Sequence, residues 1–359
     1  MAEVNKHKYF LIFLACLVLF LYVHFMSLPT QISRDCLTSA TQEALPRENE
    51  KILTLEIPYP SGVGNNIFAL ASLIGIARLL GRVPAIPVFP KMDDMIDKKI
   101  KPIFPNINRL FKRIPQEKMK DNVRTVKFNA VCCIYNDFWR LTNESASHLH
   151  LNGLFFQVHK YFDHIKPLIM QQAVPEKEVL EKAEGILPQN SKNNYIVCAH
   201  TRRGDFIGAN FAYSETKPSL EIIAKAVNDV SLNRKLTIVA MGADQKWLKN
   251  LFNGSTSVGD HEVIISKNSP SVELAFAWTR CDSVVLTAPH STFGFWMGYL
   301  SKGQRVYYYD ITQTTDSVYT EKRLNAADYF PESWKSVRYT DGLIHPVDKI
   351  TKKPKKAKS

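Results

Sequence analysis

The chain has 359 residues, with 46 lysines and arginines against 34 aspartates and glutamates and a formal net charge of +12. That length exceeds what one hydrophobic core supports, so two domains of about 130 to 160 residues are expected once the N-terminal segment is set aside. Five lysines lie in the last nine residues, TKKPKKAKS, so part of the excess is a solvated tail. The rest suits an anionic ligand; no nucleic-acid partner is expected.

In chain order, residues 1–8 read as a cytosolic tail and Tyr9 to Leu28, YFLIFLACLVLFLYVHFMSL, as a membrane anchor. These 20 apolar-rich residues span about 30 Å as a helix, the thickness of a bilayer core. They exceed the h-region of a cleaved signal peptide, and no small-x-small site follows. Lys6 and Lys8, opposed only by Glu3, keep the N-terminus cytosolic and place the remainder in a lumen or outside the cell. Residues 29–51 lack periodicity and read as a stem. Asn143-Glu144-Ser145 and Asn253-Gly254-Ser255 are glycosylation sequons consistent with that side. Cys36, Cys132, Cys133, Cys198 and Cys281 have no C-x-x-C spacing; one or two disulfides fit an oxidising lumen, with at least one thiol left free or paired to another chain. Cys198, inside a strand, reads as a small core residue rather than a nucleophile.

The first α/β domain is expected over residues 52–189. KILTLEIPYP is a strand, Ser61 to Asn66 a glycine-rich turn, IFALASLIGIARLL a helix apolar on nearly every face and ended by Gly81, and Val83 to Val88 a strand, which together make one βαβ unit. The glycines read as tight-turn residues or as a place where backbone approaches a ligand; the third glycine of the dinucleotide fingerprint and a G-K-[ST] loop are both missing. Asp93-Asp94, in MDDM, superficially resembles an acidic metal pair but reads as a solvated loop outside any strand end.

The second domain is expected over residues 190–345, with 346–359 as a disordered basic tail. Strands at Tyr195 to Ala199, KLTIVAMG, HEVIISK, SVVLT and QRVYYYD alternate with helices SLEIIAKAVNDV, DQKWLKNLF, SVELAFAWTRC and STFGFWMGYLS, predicting a parallel doubly wound sheet. With the first half this makes two Rossmann-like α/β domains facing across a cleft. Arg202 and Arg203 leave the first of these strands at its carboxyl end, where open α/β sheets bind ligands. Two planar guanidinium forks suit a diphosphate; an ion pair with Asp205 is the structural alternative. Ala288 to Thr292 opens a helix, so Ser291 or Thr292 is an N-cap at a positive dipole end, compatible with phosphate binding. His290 reads as a solvent-facing loop residue, a ligand contact or a proton carrier. Asp244, past KLTIVAMG, either caps the next helix or accepts from a nucleobase.

HTRRGDF (His200 to Phe206) resembles the H-x-R-R-G-D-[YF] signature of the α-1,2-fucosyltransferases, glycosyltransferase family 11. STFGFWMGYL resembles that family's S-T-F-x-W-W segment, and GVGNNIFALASLIGIARLLGRVPAIP its N-terminal G-x-x-x-G-N-Q region, over about residues 52–310. Asn66 stands where the family usually has glutamine and Phe295 where it often has tryptophan. The resemblance implies a GT-B fold, GDP-β-L-fucose as donor, a glycan acceptor with terminal galactose, inversion and no essential metal or other cofactor. It implies donor binding by His200, Arg202, Arg203, Asp244, Ser291, Thr292, Phe293, Gly62, Gly64 and Asn65, with Arg202, Arg203 and Asp205 as catalytic candidates, in a single-pass type II Golgi membrane protein. Fucosyl transfer leaves negative charge on the departing β-phosphate, which pre-placed arginines stabilise more in the transition state than in the ground state. A general base is not identified. A transferase using another nucleotide sugar, or a tethered glycan-binding protein without turnover, are the competing classes.

Overall fold

Two parallel sheets, each with its first strand near the centre, organise the chain. The computed structural model describes residues 50–117, 122–230, 235–252, 257–258 and 261–339. The tail, the anchor, nearly all of the stem, Cys36, Asn253 and the basic C-terminal tail therefore lie outside the described residues. Among those described, no helix is long and apolar enough to cross a membrane.

The first sheet contains β1 (Ile52–Leu55), β2 (Val83–Val88), β3 (Lys112–Pro115), β4 (Val123–Asn129) and β5 (His148–Gly153), in the order β3-β2-β1-β5-β4, all parallel. The helix after β1 spans Val63–Leu79 and is buried on nearly every face, as its pattern predicts. It begins earlier than predicted. Gly64, Asn65 and Asn66 form its first turn, and Gly62, its N-cap, has φ −66, so the glycines are not there to supply a left-handed turn. Gly81, at φ +62, does end the helix in that way. Asp93 and Asp94 also differ from expectation: they lie on the helix Pro90–Met95, directly after β2, where Asp93 pairs with Arg113 and Asp94 with Lys98.

The second sheet contains β6 (Tyr195–His200), β7 (Leu236–Met241), β8 (Ser257–Val258), β9 (His261–Ser266), β10 (Ser283–Leu286), β11 (Arg305–Tyr309) and β12 (Lys335–Val337). Its order is β12-β11-β10-β6-β7-β9-β8, parallel except for the β8–β9 hairpin. The chain winds outward from β6 through β7 to β9, then returns to β10 on the other side of β6. The topological switch point is thus between β6 and β10, where crossovers leave in opposite directions and open a crevice. β6 is buried throughout. Ile196 and Cys198 face one hydrophobic cluster while Tyr195, Val197 and Ala199 face another, the situation that makes an apolar run out of a parallel strand.

The described residues form one compact unit beginning at Glu50. The helix Val63–Leu79 of the first half packs against Thr292–Leu300 of the second. Phe68 and Phe162 meet Phe295 and Trp296 there, with ring centroids between 4.5 and 6.4 Å apart. Phe295, where the resembled family often has tryptophan, is fully buried in this cluster. Asn66 is also buried and braces the β1 loop, donating to Pro58 O at 2.9 Å and Ser61 Oγ at 3.0 Å. Disulfides join Cys198 to Cys281 and Cys132 to its neighbour Cys133.

Candidate functional site

The loops after β6 and β10 form one hydrogen-bonded unit because their strands are adjacent, with Leu286 in register with His200. Thr287 Oγ1 donates to His200 O at 2.9 Å, Ser214 and Thr287 hydroxyls lie 2.6 Å apart, and Arg202 N–H donates to Ser214 Oγ at 2.9 Å. His200 Nε2 bonds Ser291 Oγ at 2.9 Å. Burial, reinforced by the charge of Arg202, pushes the His200 pKa down to about 3, so its ring is neutral at physiological pH. Its Nδ1 is buried with no hydrogen-bond partner among the described residues. Gly294 makes this packing possible: a Cβ there would stand 2.5 Å from His200 Cδ2.

Both arginines occupy the switch-point loop, and each already holds a carboxylate. Arg202 presents its fork to Asp205, Nε at 2.9 Å and Nη2 at 2.8 Å. Asp205 therefore holds an arginine, the structural alternative; it is also the first residue of a short helix, Asp205–Ala209, rather than a loop residue. Gly204 precedes it at φ +47, a conformation open to glycine. Arg203 donates to Ser214 O, lies 3.4 Å from Asp244 Oδ2, and stands over the rings of Tyr213 and Trp247, 5.2 and 4.8 Å from their centroids. Its side chain is only 20% exposed, so it is packed although it lies beyond the strand. Asp244 caps the helix Gln245–Leu251 by accepting from Trp247 N–H at 3.0 Å, so one oxygen caps while the other faces Arg203.

Ser291 is the N-cap of Thr292–Leu300, its Oγ accepting from Gly294 N–H at 3.3 Å. Thr292 and Phe293 form the first turn, so free N–H groups face the region beyond β10. The first half reaches the same place. A Cβ on Gly64 would stand 2.6 Å from the Thr292 carbonyl carbon, and Trp296 Nε1 donates to Gly64 O at 3.0 Å. The openness of Gly64 is thus taken by another backbone instead of a ligand, while Gly62 has no atom within 4 Å of its Cβ direction. Asn65 Oδ1 accepts from Gln157 Nε2 at 3.1 Å.

His290 is 7% exposed, which removes the solvent-facing reading. Its Nδ1 lies 3.3 Å from Asp316, which is fully buried. Burial pushes that carboxyl up, but the His290 contact and backbone N–H bonds from Ala212 and Tyr319 hold it below the ordinary carboxylate range. Sequence reasoning missed Tyr213, Ser214, Trp247, Thr287, Gln157 and Asp316. Only Trp247 carried a signal, as an aromatic one turn after Asp244 at a strand end. Asn143, one of the two sequon residues, is exposed.

The sequence matches the family model described as Glycosyl transferase family 11 over residues 27–338. The chain is 32% identical over 298 residues to a putative galactoside 2-alpha-L-fucosyltransferase, svh-11, of Caenorhabditis elegans, with 80% of each chain covered. It is 30% identical over 325 residues to a galactoside 2-alpha-L-fucosyltransferase of the same organism, with 82% and 79% covered. Among solved structures it resembles the fucosyltransferase NodZ from Bradyrhizobium at 13% identity and a TM-score of 0.45, with 73% of this chain and 96% of that chain covered.

Proposed function

The chain belongs to glycosyl transferase family 11, and from that premise we propose that it transfers L-fucose from GDP-β-L-fucose to the 2-hydroxyl of a terminal galactose on a glycan, with inversion and without a catalytic metal. The observation that carries this reading is the placement of Arg202 and Arg203 at the β6 end of the switch point, beside the Ser291-capped helix that follows β10.

In this reading the diphosphate lies against that helix N-terminus and takes over guanidinium contacts now made to Asp205 and Asp244. As the sugar–phosphate bond breaks, charge builds on the β-phosphate, and cationic groups already in position stabilise it without reorganising. The neutral His200 holds Ser291 and leaves the positive charge to the arginines. Asp205 positions Arg202. The two halves form a GT-B pair, the first taking the acceptor and the second the donor. The protein is held in the Golgi membrane by Tyr9 to Leu28, type II, with its catalytic domain in the lumen; the Cys198–Cys281 bridge and exposed Asn143 support an oxidising, glycosylating compartment.

The test is release of GDP from GDP-fucose with and without galactosides, against other nucleotide sugars. Galactoside-dependent release from GDP-fucose is expected. Preference for another nucleotide sugar would reassign the donor, and no turnover with any would leave a glycan-binding protein.

A further inference from the structure

We propose that Cys132 and Cys133, once their disulfide is opened, form with His290 a three-donor site for a thiophilic divalent cation of the zinc class. The candidate ligand atoms of the three residues lie within 4.8 Å of one another, and Cys133 Sγ is 3.9 Å from His290 Nε2. Tetrahedral zinc, with Zn–S of about 2.3 Å and Zn–N of about 2.0–2.1 Å, puts sulfur and nitrogen about 3.6 Å apart and two sulfurs about 3.8 Å apart. The histidine and Cys133 are close to that spacing already. Cleavage of the disulfide frees the two sulfurs to separate and Cys132 Sγ to settle against the same centre.

Three features around the site suit metal binding. Asp316 faces His290 Nδ1 at 3.3 Å and is itself held by N–H bonds from Ala212 at 2.7 Å, Val318 at 2.9 Å and Tyr319 at 3.2 Å. The carboxylate stands beside Nδ1 without a formed hydrogen bond between them; a small ring rotation that brings Nδ1–H onto it would leave the Nε2 lone pair toward the sulfurs, the arrangement that stands behind metal-bound histidines. Gln157 donates to Asn65 Oδ1 at 3.1 Å and so keeps its Oε1 toward Cys133 Sγ at 3.2 Å, an oxygen for the fourth position. The dipeptide backbone is clamped from both halves: Gln157 N–H donates to Cys132 O at 2.9 Å and Asn325 N–H to Cys133 O at 3.0 Å. Opening the bridge therefore frees the sulfurs while the backbone stays anchored.

The chemistry balances with a dithiol as reductant. It supplies two electrons and two protons, becomes a disulfide, and leaves Cys132 and Cys133 as thiols. Coordination of the cation as two thiolates then releases those two protons to solvent. The net charge of a dication with two thiolates is zero, and the imidazole binds neutral. The site rests on the geometry of the three residues and not on the transferase reading; in an oxidising compartment it stays closed as the disulfide, and opens only where a dithiol reaches it.

The experiment uses the full chain in detergent, reduced with a dithiol without oxygen, desalted, and titrated with Zn²⁺ against a chelating dye and with Co²⁺ as a spectroscopic probe. One equivalent is expected per chain after reduction and none before, with cobalt–thiolate charge-transfer absorption. Cys132→Ser, Cys133→Ser and His290→Gln should abolish the tight site, Asp316→Asn should weaken it about 10- to 100-fold, and Cys36→Ser should bind as the unaltered chain does. Near-UV circular dichroism identifies any variant that fails to fold; Cys132→Ser, at a half-buried position, serves if His290→Gln does not fold. Absence of stoichiometric binding by the reduced chain, or binding unchanged in Cys132→Ser and Cys133→Ser, would overturn the proposal.

Discussion

Gly64 and Thr292 belong to helices from opposite halves of the molecule, and their backbones approach so closely that a Cβ on Gly64 would stand 2.6 Å from the Thr292 carbonyl carbon. No flexible side-chain end can yield there, since the obstructing atoms include backbone. Gly64→Ala should cost about 1–3 kcal/mol of stability, the usual range for overpacking, and should weaken GDP binding by shifting the turn that Ser291 caps. Gly62→Ala, two residues away with open space at its Cβ, should be near neutral. Thermal unfolding and GDP titration of the two variants check this; equal effects would refute the assigned contact.

Arg203→Lys keeps the charge and removes the planar fork. Loss of one contact that strengthens in the transition state should lower the rate roughly 10²- to 10³-fold and weaken GDP binding. Because the guanidinium stands over the rings of Tyr213 and Trp247, a stability loss of about 0.5–2 kcal/mol should accompany it. Trp247→Leu should share the stability loss but retain much more of the rate. Steady-state kinetics beside melting curves separate the two roles, and unaltered kinetics in Arg203→Lys would remove the diphosphate assignment.

If guanidinium groups and a helix N-terminus are sufficient for the leaving charge, chelation should leave turnover unchanged. Assaying the oxidised protein in EDTA checks this. Lost activity restored by Mn²⁺ or Mg²⁺ would show that the leaving group needs a cation as well.

Glu273 follows β9 on the helix Pro270–Arg280, and burial pushes its pKa up to about 8 despite a hydrogen bond from the Asn268 backbone. The folded state therefore holds this proton more tightly than the unfolded chain, where a glutamate titrates near 4.3. Its contribution is fully present below about pH 4 and is lost as pH rises toward 8, by an amount on the order of a few kcal/mol. Glu273→Gln should flatten the decline between pH 5 and 8. Urea unfolding across that interval, with equal slopes for both proteins, would contradict the burial argument.

The second half was legible because its central strands are buried on both faces and so read as apolar runs broken by helices. The first half was less so: β3 (KRIP) and β4 (VRTVKFN) are edge strands with polar, partly exposed residues, and β5 (HLHLNG) carries histidines that bond Thr54 across the sheet. At the site, the arginine loop and the Ser291 cap follow from strand, turn and helix order. The contacts of Arg203 with Tyr213 and Trp247 and the His290–Asp316 pair do not, since they join segments brought together only by the folded sheet. Asn65 and the neighbouring glycines looked like a turn because helix starts and turns use the same residues.

The helix Thr292–Leu300 has two duties along nine residues. Its first turn points N–H groups beyond β10, while Phe295, Trp296 and Tyr299 form part of the core shared by both halves, and all three are fully buried. A hinge that swung the halves apart would pull those rings into water, at about 1.5–3 kcal/mol for a side chain of Phe size alone, and would break the Trp296 bond to Gly64. Rigid-body opening is therefore costly. On the proposed reading the guanidinium groups are the moving parts: exchanging Asp205 or Asp244 for phosphate oxygens would need side-chain rotation and would leave the scaffold still.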